Sequence, residues 1–445
     1  MLLGFAPRYL TLSMNTFTTL MLFCFTLGAL AQNRTFTAPL DTQPVTNAII
    51  DARVDSIMNQ AIEAKAFPGA TLLVAKSGSI IFNKTYGFHT YDSVQKVAPG
   101  DLYDLASVTK VTAALPAIMK LIDEGKLDLD EKFSTYWKPW KRRKDKRDLT
   151  LREILAHQAG LEPYIVFLND VLKEDGSFKH RFVRSEKSRR FSVETYNGLF
   201  LNKRFVRKMY RKINRSEVSE EKKYKYSGLT FLLYPQIIEN LTGVPYEQYV
   251  QENFYTPLGA ENLMFNPEKH HFPESRIIPT EEDSVYRKVY VKGWVHDENA
   301  SLLGGVSGNA GLFATAEDLA KLMQMYVNMG VYNNKRYISE ATLKEFTRVQ
   351  YPENDNRRGL GFDKPYLNNV ENALPDSYPN PEVSASSFGH SGFTGTFVWA
   401  DPEHELVFVF LSNRVYPTRT HTAIYDLNVR PRLMHVFYQE LQLTK

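Results

Sequence analysis

The sequence holds a single cysteine among its 445 residues, Cys24, and that residue sits inside an apolar run near the start. Once that run is cleaved, no thiol remains. Disulfides, a cysteine nucleophile and thiolate metal sites are then excluded. Beyond residue 31 no stretch approaches the roughly 18 apolar residues that mark a membrane-spanning helix. The ten histidines show no ligand spacing, apart from the adjacent His296 and Asp297, so neither a metal nor a cofactor is expected. Gly304 to Gly311, GGVSGNAG, lacks the Lys and Ser/Thr that a phosphate-binding loop needs. There is no internal repeat and no low-complexity tract. With 43% hydrophobic and 23% charged residues the chain can bury a core of its own.

What is present begins with the run LMLFCFTLGALA, Leu20 to Ala31. It is too short to span a bilayer and ends in the small-x-small signal Ala29-Leu30-Ala31. Residues 1–31 are therefore expected to be a secretory signal cut before Gln32, with 32–44 a linker. The product would be exported, to the periplasm or beyond. Leu22 and Phe23 precede Cys24, which does not fit a lipoprotein box. Formal net charge is a mild +4, but the basic residues cluster. Lys138 to Arg147 reads KPWKRRKDKR, and Lys179 to Lys225 carries sixteen Lys or Arg against five Asp or Glu. Such surfaces favour anionic partners. Three readings stand side by side: a solvated face without a partner, a patch for an anionic wall polymer, lipid surface or substrate, or a nucleic-acid site. Export disfavours the last.

Hydrophobic periodicity predicts a helix over 49–66, with Ile50, Val54, Ile57 and Ala61 on one face. Two strands follow, Ala70 to Lys76 and Ser79 to Tyr86, joined by a Ser77-Gly78 turn. A long helix is expected from Val108 to Glu124. Another covers Leu149 to Gln158, with Thr150 and Glu153 as a capping box. Residues 164–222 read as a helical or irregular insertion. Helices are expected over Leu229 to Leu241 and from a Thr315 cap to Met329. Two last strands cover Gly395 to Ala400 and Glu405 to Leu411. Strands near both ends and helices between them predict an α/β (α+β) fold. One sheet is built from both chain ends, about 45–106 and 300–435, around a mostly helical part at about 107–299.

Three groups could carry chemistry. Ser107-Val108-Thr109-Lys110 places a hydroxyl and an ammonium one helical turn apart, at a helix start whose amides favour a developing oxyanion. A bland reading is an N-cap serine and a solvated lysine. Tyr226, in Tyr224-Lys225-Tyr226-Ser227-Gly228, could aim a phenol into a cleft, where neighbouring cations would lower its pKa. It could equally be an ordinary half-buried tyrosine. His390-Ser391-Gly392, between Gly389 and Phe393-Thr394-Gly395, could offer a strand edge to an extended substrate. The Phe393 amide would then join that of Ser107 as an oxyanion donor. The alternative is a turn with a surface histidine.

Together, Ser-x-x-Lys, then the tyrosine motif, then His-x-Gly resemble the serine β-lactamase and penicillin-binding-protein superfamily, in its class C-like branch. PGATLLVAKSG, LYDLASVTK, LREILAHQAGL, KYSGLTFLLYPQIIENLTG, HSGFTGT and LSNRV agree, and the resemblance spans roughly residues 45–435. It implies an antiparallel sheet flanked by helices, an acylated nucleophile at Ser107, Lys110 as its proton partner, and Tyr226 assisting acylation and deacylation. His390 takes the position that is lysine in the lactamases. Gly228 takes the usual Asn position, so the amide that grips a substrate's acyl-amide is missing; Ser391 and Gly392 would line the substrate. IIPTEED and WVHDENASLLGGVSGNAGLFATAEDL are similar to exported cell-wall N-acetylmuramoyl-L-alanine amidases and penicillin-binding-protein-like hydrolases, with Asn309 where histidine is commoner. His296, Asp297, Asn299 and Asn309 are thus candidates for the substrate wall, or for structural hydrogen bonding. The implied protein is an exported serine hydrolase acting on peptidoglycan fragments. An esterase, a β-lactamase and a non-catalytic wall-binding protein on the same fold are alternatives.

Overall fold

The computed structural model describes residue 1, residues 40–41 and residues 47–443. The expected signal segment, Cys24 included, lies outside the described residues but for Met1. At the centre is a five-stranded sheet: β1 (Gly69–Lys76), β2 (Ser79–Gly87), β3 (Phe388–Ser391), β4 (Phe397–Asp401) and β5 (Leu406–Ser412), in the order β3-β4-β5-β1-β2. Every pairing is antiparallel. The two chain ends meet where β1 pairs with β5, from Ala70 opposite Ser412 to Lys76 opposite Leu406.

The sequence of β5, LVFVFLS, explains its place. All seven residues are buried. Successive side chains of a strand point to opposite faces, and an uninterrupted apolar run fits only a strand covered on both. Leu406, Phe408 and Phe410 pack with α1 (Ala48–Glu63) and the C-terminal helix Val429–Glu440. Val407, Val409 and Leu411 share the other core with the helix Ala316–Val327. Each buried phenylalanine contributes about 1.5–3 kcal/mol relative to exposure. The expected capping box is present: Thr150 Oγ1 accepts from the Glu153 amide, and a Glu153 carboxylate oxygen accepts from the Thr150 amide at 2.9 Å.

One expectation is refined and one changes. The helix expected over 108–124 is present without a break through Asp123, but its hydrogen bonding is not uniform. It runs as a 3-10 turn (Ala106–Val108), a π turn (Lys110–Ala114) and α2 (Leu115–Asp123). Pro116 is the cause: it has no N–H for the Thr112 carbonyl, which accepts the Tyr255 hydroxyl at 2.9 Å instead. The insertion 164–222 is not simply helical or irregular. It carries a small antiparallel sheet, Val183–Arg184, Leu199–Asn202 and Phe191–Tyr196, followed by α3 (Lys203–Arg215). The signal was Asn197-Gly198, a two-residue hairpin turn with Gly198 at φ 68°.

Candidate active site

Ser107 sits in the short turn that follows Asp104. One Asp104 oxygen accepts from the Ala106 amide at 2.8 Å and the other from the His296 amide at 2.6 Å. Ala106 is thereby held at φ 45°, a left-handed conformation that costs a residue with a side chain about 1–3 kcal/mol. The strained turn leaves the next residue, Ser107, partly exposed among buried neighbours.

Lys110 is buried, at 2% exposure. Its Nζ lies 2.9 Å from Ser107 Oγ and 3.0 Å from the Asn309 carbonyl oxygen. Tyr226 stands beside Ser107 and Lys110, its ring centroid 5.5 Å from Lys110 Nζ, and its phenol feels both. Burial pushes the Tyr226 phenol up. The Lys110 charge, the neighbouring Ser107 and the Arg358 guanidinium outweigh burial, and the net shift is downward. Around the Tyr226 ring stand His157 at 4.5 Å, His390 at 6.1 Å and the Arg358 guanidinium at 5.7 Å.

His390 is on β3 and buried. Burial first, then the charges of Arg358 and Lys110, bring its pKa down to about 3. It is a neutral imidazole. Its Nδ1 lies 2.7 Å from the Ser391 carbonyl oxygen, so Nδ1 donates and the buried, unpartnered Nε2 offers a lone pair. A lysine at this position would offer a cation; this residue offers an acceptor. The surface-turn alternative for His390 does not hold.

After β3 the chain turns back against Ser107. Thr394 Oγ1 donates to the Asp104 carbonyl at 2.8 Å and Thr396 Oγ1 to the Leu105 carbonyl at 3.0 Å. A β-carbon on Gly392 would meet the Leu105 carbonyl at 2.5 Å, so glycine is what allows the approach. Ser107 and Phe393 consequently line one cleft of about 340 Å³ with Tyr164, His296, Asp297 and Arg419. A second observation concerns Gly228: a β-carbon there would meet only the Pro163 carbonyl, at 4.0 Å. The backbone leaves room for the missing amide side chain, so its absence is a matter of residue choice and not of space.

The far wall is a closed ion network. His296 Nε2 lies 2.9 Å from Glu281, whose two oxygens also receive Arg419 at 2.7 and 2.8 Å. Arg419 also reaches Glu298 at 2.8 Å. Although burial raises it, the bonds from Arg419 and His296 hold the Glu281 carboxyl down at about 2. His296 stacks on Phe393 at 5.7 Å, and Asp297 accepts from the Asn309 side chain at 3.1 Å. Asn309 thus contributes its carbonyl to Lys110 while its side chain is held by Asp297. Asn299 is different. It is 1% exposed, and its amide donates to the Ile165 carbonyl at 2.9 Å. It tethers the start of the insertion, the structural hydrogen-bonding role that was the other reading of this residue.

Besides Tyr164, Glu298 and Arg419 of the cleft, four further residues without an assigned role complete the site. Asp104, His157 and Glu281 lay in LYDLASVTK, LREILAHQAGL and IIPTEED, the stretches that carried the resemblance. His157 accepts from the Ser227 amide at 3.3 Å, and burial keeps it neutral. Arg358 left no signal. It comes from a charged loop, NRRGLGF, and is 3% exposed, paired with Asp363 at 3.0 Å.

The Beta-lactamase family model matches residues 51–429. The chain belongs to this family. It is 31% identical over 406 residues to a "Putative D-alanyl-D-alanine carboxypeptidase" of Salmonella heidelberg (strain SL476), covering 86% of this chain and 85% of that one. Among solved structures it is similar to a penicillin-binding protein homologue from Caulobacter crescentus, with TM-score 0.62, 20% identity, and 90% and 99% of the two chains covered. It is also similar to EstCE1, a hydrolase with promiscuous acyltransferase activity, with TM-score 0.61, 17% identity, and coverage of 86% and 98%. At those identities the two structures speak to the fold. No helix among the described residues is long and apolar enough to cross a membrane.

Proposed function

We propose that the protein is an exported serine hydrolase that cleaves an amide or ester through an acyl-enzyme at Ser107, with peptidoglycan-derived peptides as its substrates. The observation that carries the reading is the Ser107 hydroxyl, 2.9 Å from Lys110 Nζ and beside a Tyr226 phenol whose pKa these two residues lower. Tyr226, as phenolate stabilised by Lys110, takes the Ser107 proton as Oγ attacks the carbonyl carbon. The amides of Ser107 and Phe393 receive the oxyanion. Tyr226 then gives its proton to the leaving amine or alcohol. A water follows the same path in reverse and releases the acid, restoring Ser107.

The D-alanyl-D-alanine carboxypeptidase description of a 31% identical relative supports a cell-wall peptide substrate. A neutral ester is the second reading. It is favoured by Gly228, which offers no side-chain amide, and by a neutral His390, which offers no cation to a carboxylate. Purified protein incubated with D-Ala-D-Ala peptides, muropeptides, D-aminoacyl peptides, short esters and nitrocefin, with products read by mass, separates these. A serine-reactive probe should label Ser107 stoichiometrically. No labelling by several probe classes would leave the wall-binding alternative.

A further inference from the structure

The two basic stretches are well separated in sequence, yet the fold joins them. α3 is seated by Phe205, Met209 and Ile213, all buried on one side. On an adjoining side Asn214 accepts both indole N–H groups of the other stretch, Trp137 at 2.7 Å and Trp140 at 3.0 Å. Tyr210, one turn earlier, meets Trp137 edge-on at 5.4 Å. The outward side of α3 carries Arg204, Arg207, Arg211 and Arg215, at spacings of three and four that make one stripe. Beside it the segment containing Trp140 exposes Lys138, Lys141, Arg142 and Lys144.

What these eight share is that none makes an ion pair among the described residues, while their neighbours do. Lys208 and Lys212 pair with Asp170, Arg143 and Lys146 with Asp145, and Arg147 with Asp148. The protein's own carboxylates neutralise the cations around the stripe and leave the stripe bare. A face meant only for water carries interspersed signs, and like charges in a row repel.

We infer that this joined face, formed by α3 and the 138–144 segment, docks the protein on a surface of anionic phospholipid headgroups. Several features favour that occupant. The cations are spread along a helix lying flat on the body, so they meet a plane of charge at one depth and do not converge on a single phosphate. Five of the eight are arginine, whose fork suits phosphate oxygens. No large hydrophobic side chain in either segment is exposed, so no ring is offered for stacking on a nucleobase. A basic residue near an anionic bilayer is worth about 1 kcal/mol, and the attraction fades within the screening length, about 8 Å at physiological ionic strength.

The test is sedimentation of the full-length protein with vesicles of phosphatidylglycerol and phosphatidylcholine, against phosphatidylcholine alone. The apolar run at 20–31 would bind both alike, so the difference between them is the readout. Preferential binding to the anionic vesicles, abolished by about 0.5 M NaCl, is expected. The variant R204Q/R207Q/R211Q/R215Q and the variant K138Q/K141Q/R142Q/K144Q each remove four charges and should each weaken it about 10³-fold. Both should melt at the wild-type temperature, since no native ion pair is lost. Equal binding to both vesicle types overturns the proposal. So does a loss confined to one variant, which would mean the face is not shared. Tighter binding to DNA or to isolated peptidoglycan than to anionic vesicles would assign the face to a polymer and overturn the lipid assignment.

Discussion

The two walls of the cleft use charge in opposite ways. On the Tyr226 side, Lys110 meets a hydroxyl, a carbonyl and a phenol, and both histidines nearby are neutral. On the His296 side the main charges are paired: Glu281 and Glu298 grip Arg419, and Glu281 also holds His296, while Asp297 is met by neutral amides. Cations without a matching carboxylate shift the pKa of what they touch, and a closed network fixes a shape. Chemistry is thus expected from the first wall and rigidity from the second.

The largest effects should come from the first wall. Ser107→Ala should lower turnover by at least about 10³-fold with the melting temperature kept, and Lys110→Ala nearly as much, because the pair acts as a unit. Turnover near wild type in Ser107→Ala would end the acyl-enzyme reading. Tyr226 has to be unprotonated to accept the Ser107 proton, so kcat/KM should rise with pH through its lowered pKa. Because His390 titrates near 3, it should add no inflection between pH 5 and 8.

Arg358, paired with Asp363 at 3.0 Å, tests how far a cation beside the phenol matters there. Its charge favours the phenolate, so Arg358→Met should move the rising limb to higher pH and cost about tenfold near neutrality. Arg358→Lys should restore most of it. Asp363 keeps Arg357 at 2.6 Å in either variant, which guards the fold. An unmoved limb in Arg358→Met would reduce the residue to packing.

The second wall should answer in stability. Glu281 is held at about 2, below its ordinary value of 4.5. A depressed carboxyl stabilises the fold above the unfolded-state pKa, and that contribution is lost as pH falls from about 4.5 through about 2. Glu281→Gln should destabilise by roughly 3 kcal/mol near neutrality, measured by denaturant unfolding, and flatten the pH dependence over that window. The smallest effect is expected at Asn299. Asn299→Ala should cost about 1 kcal/mol and leave KM unchanged, as suits a tether outside the cleft. A KM shift without loss of stability would return it to the substrate wall.

Local chemistry was legible where one segment carries it whole. The Thr150–Glu153 capping box, the Ser77-Gly78 hairpin and the strands of the central sheet depend on near neighbours and on apolar runs. The π turn inside the 108–124 helix was also written locally, in Pro116, and the apolar periodicity around it carries no trace of it. Asn197-Gly198 was likewise there to be seen inside a stretch dominated by charge.

By itself the sequence determined which residues are polar, apolar or conformationally special: Ser107 three places before Lys110, a glycine at 392, a histidine at 390 where a lysine could stand. Motif and spacing are properties of the chain, and they were enough to indicate the family. Only the tertiary structure decided what those groups meet. It made His390 neutral by burying it beside Arg358, brought Arg358 from an unremarked loop to the Tyr226 ring, and turned Asn299 away from the cleft. Desolvation and Coulomb interaction depend on distance through space, and residues 107, 226, 358 and 390 become neighbours only once the core has folded.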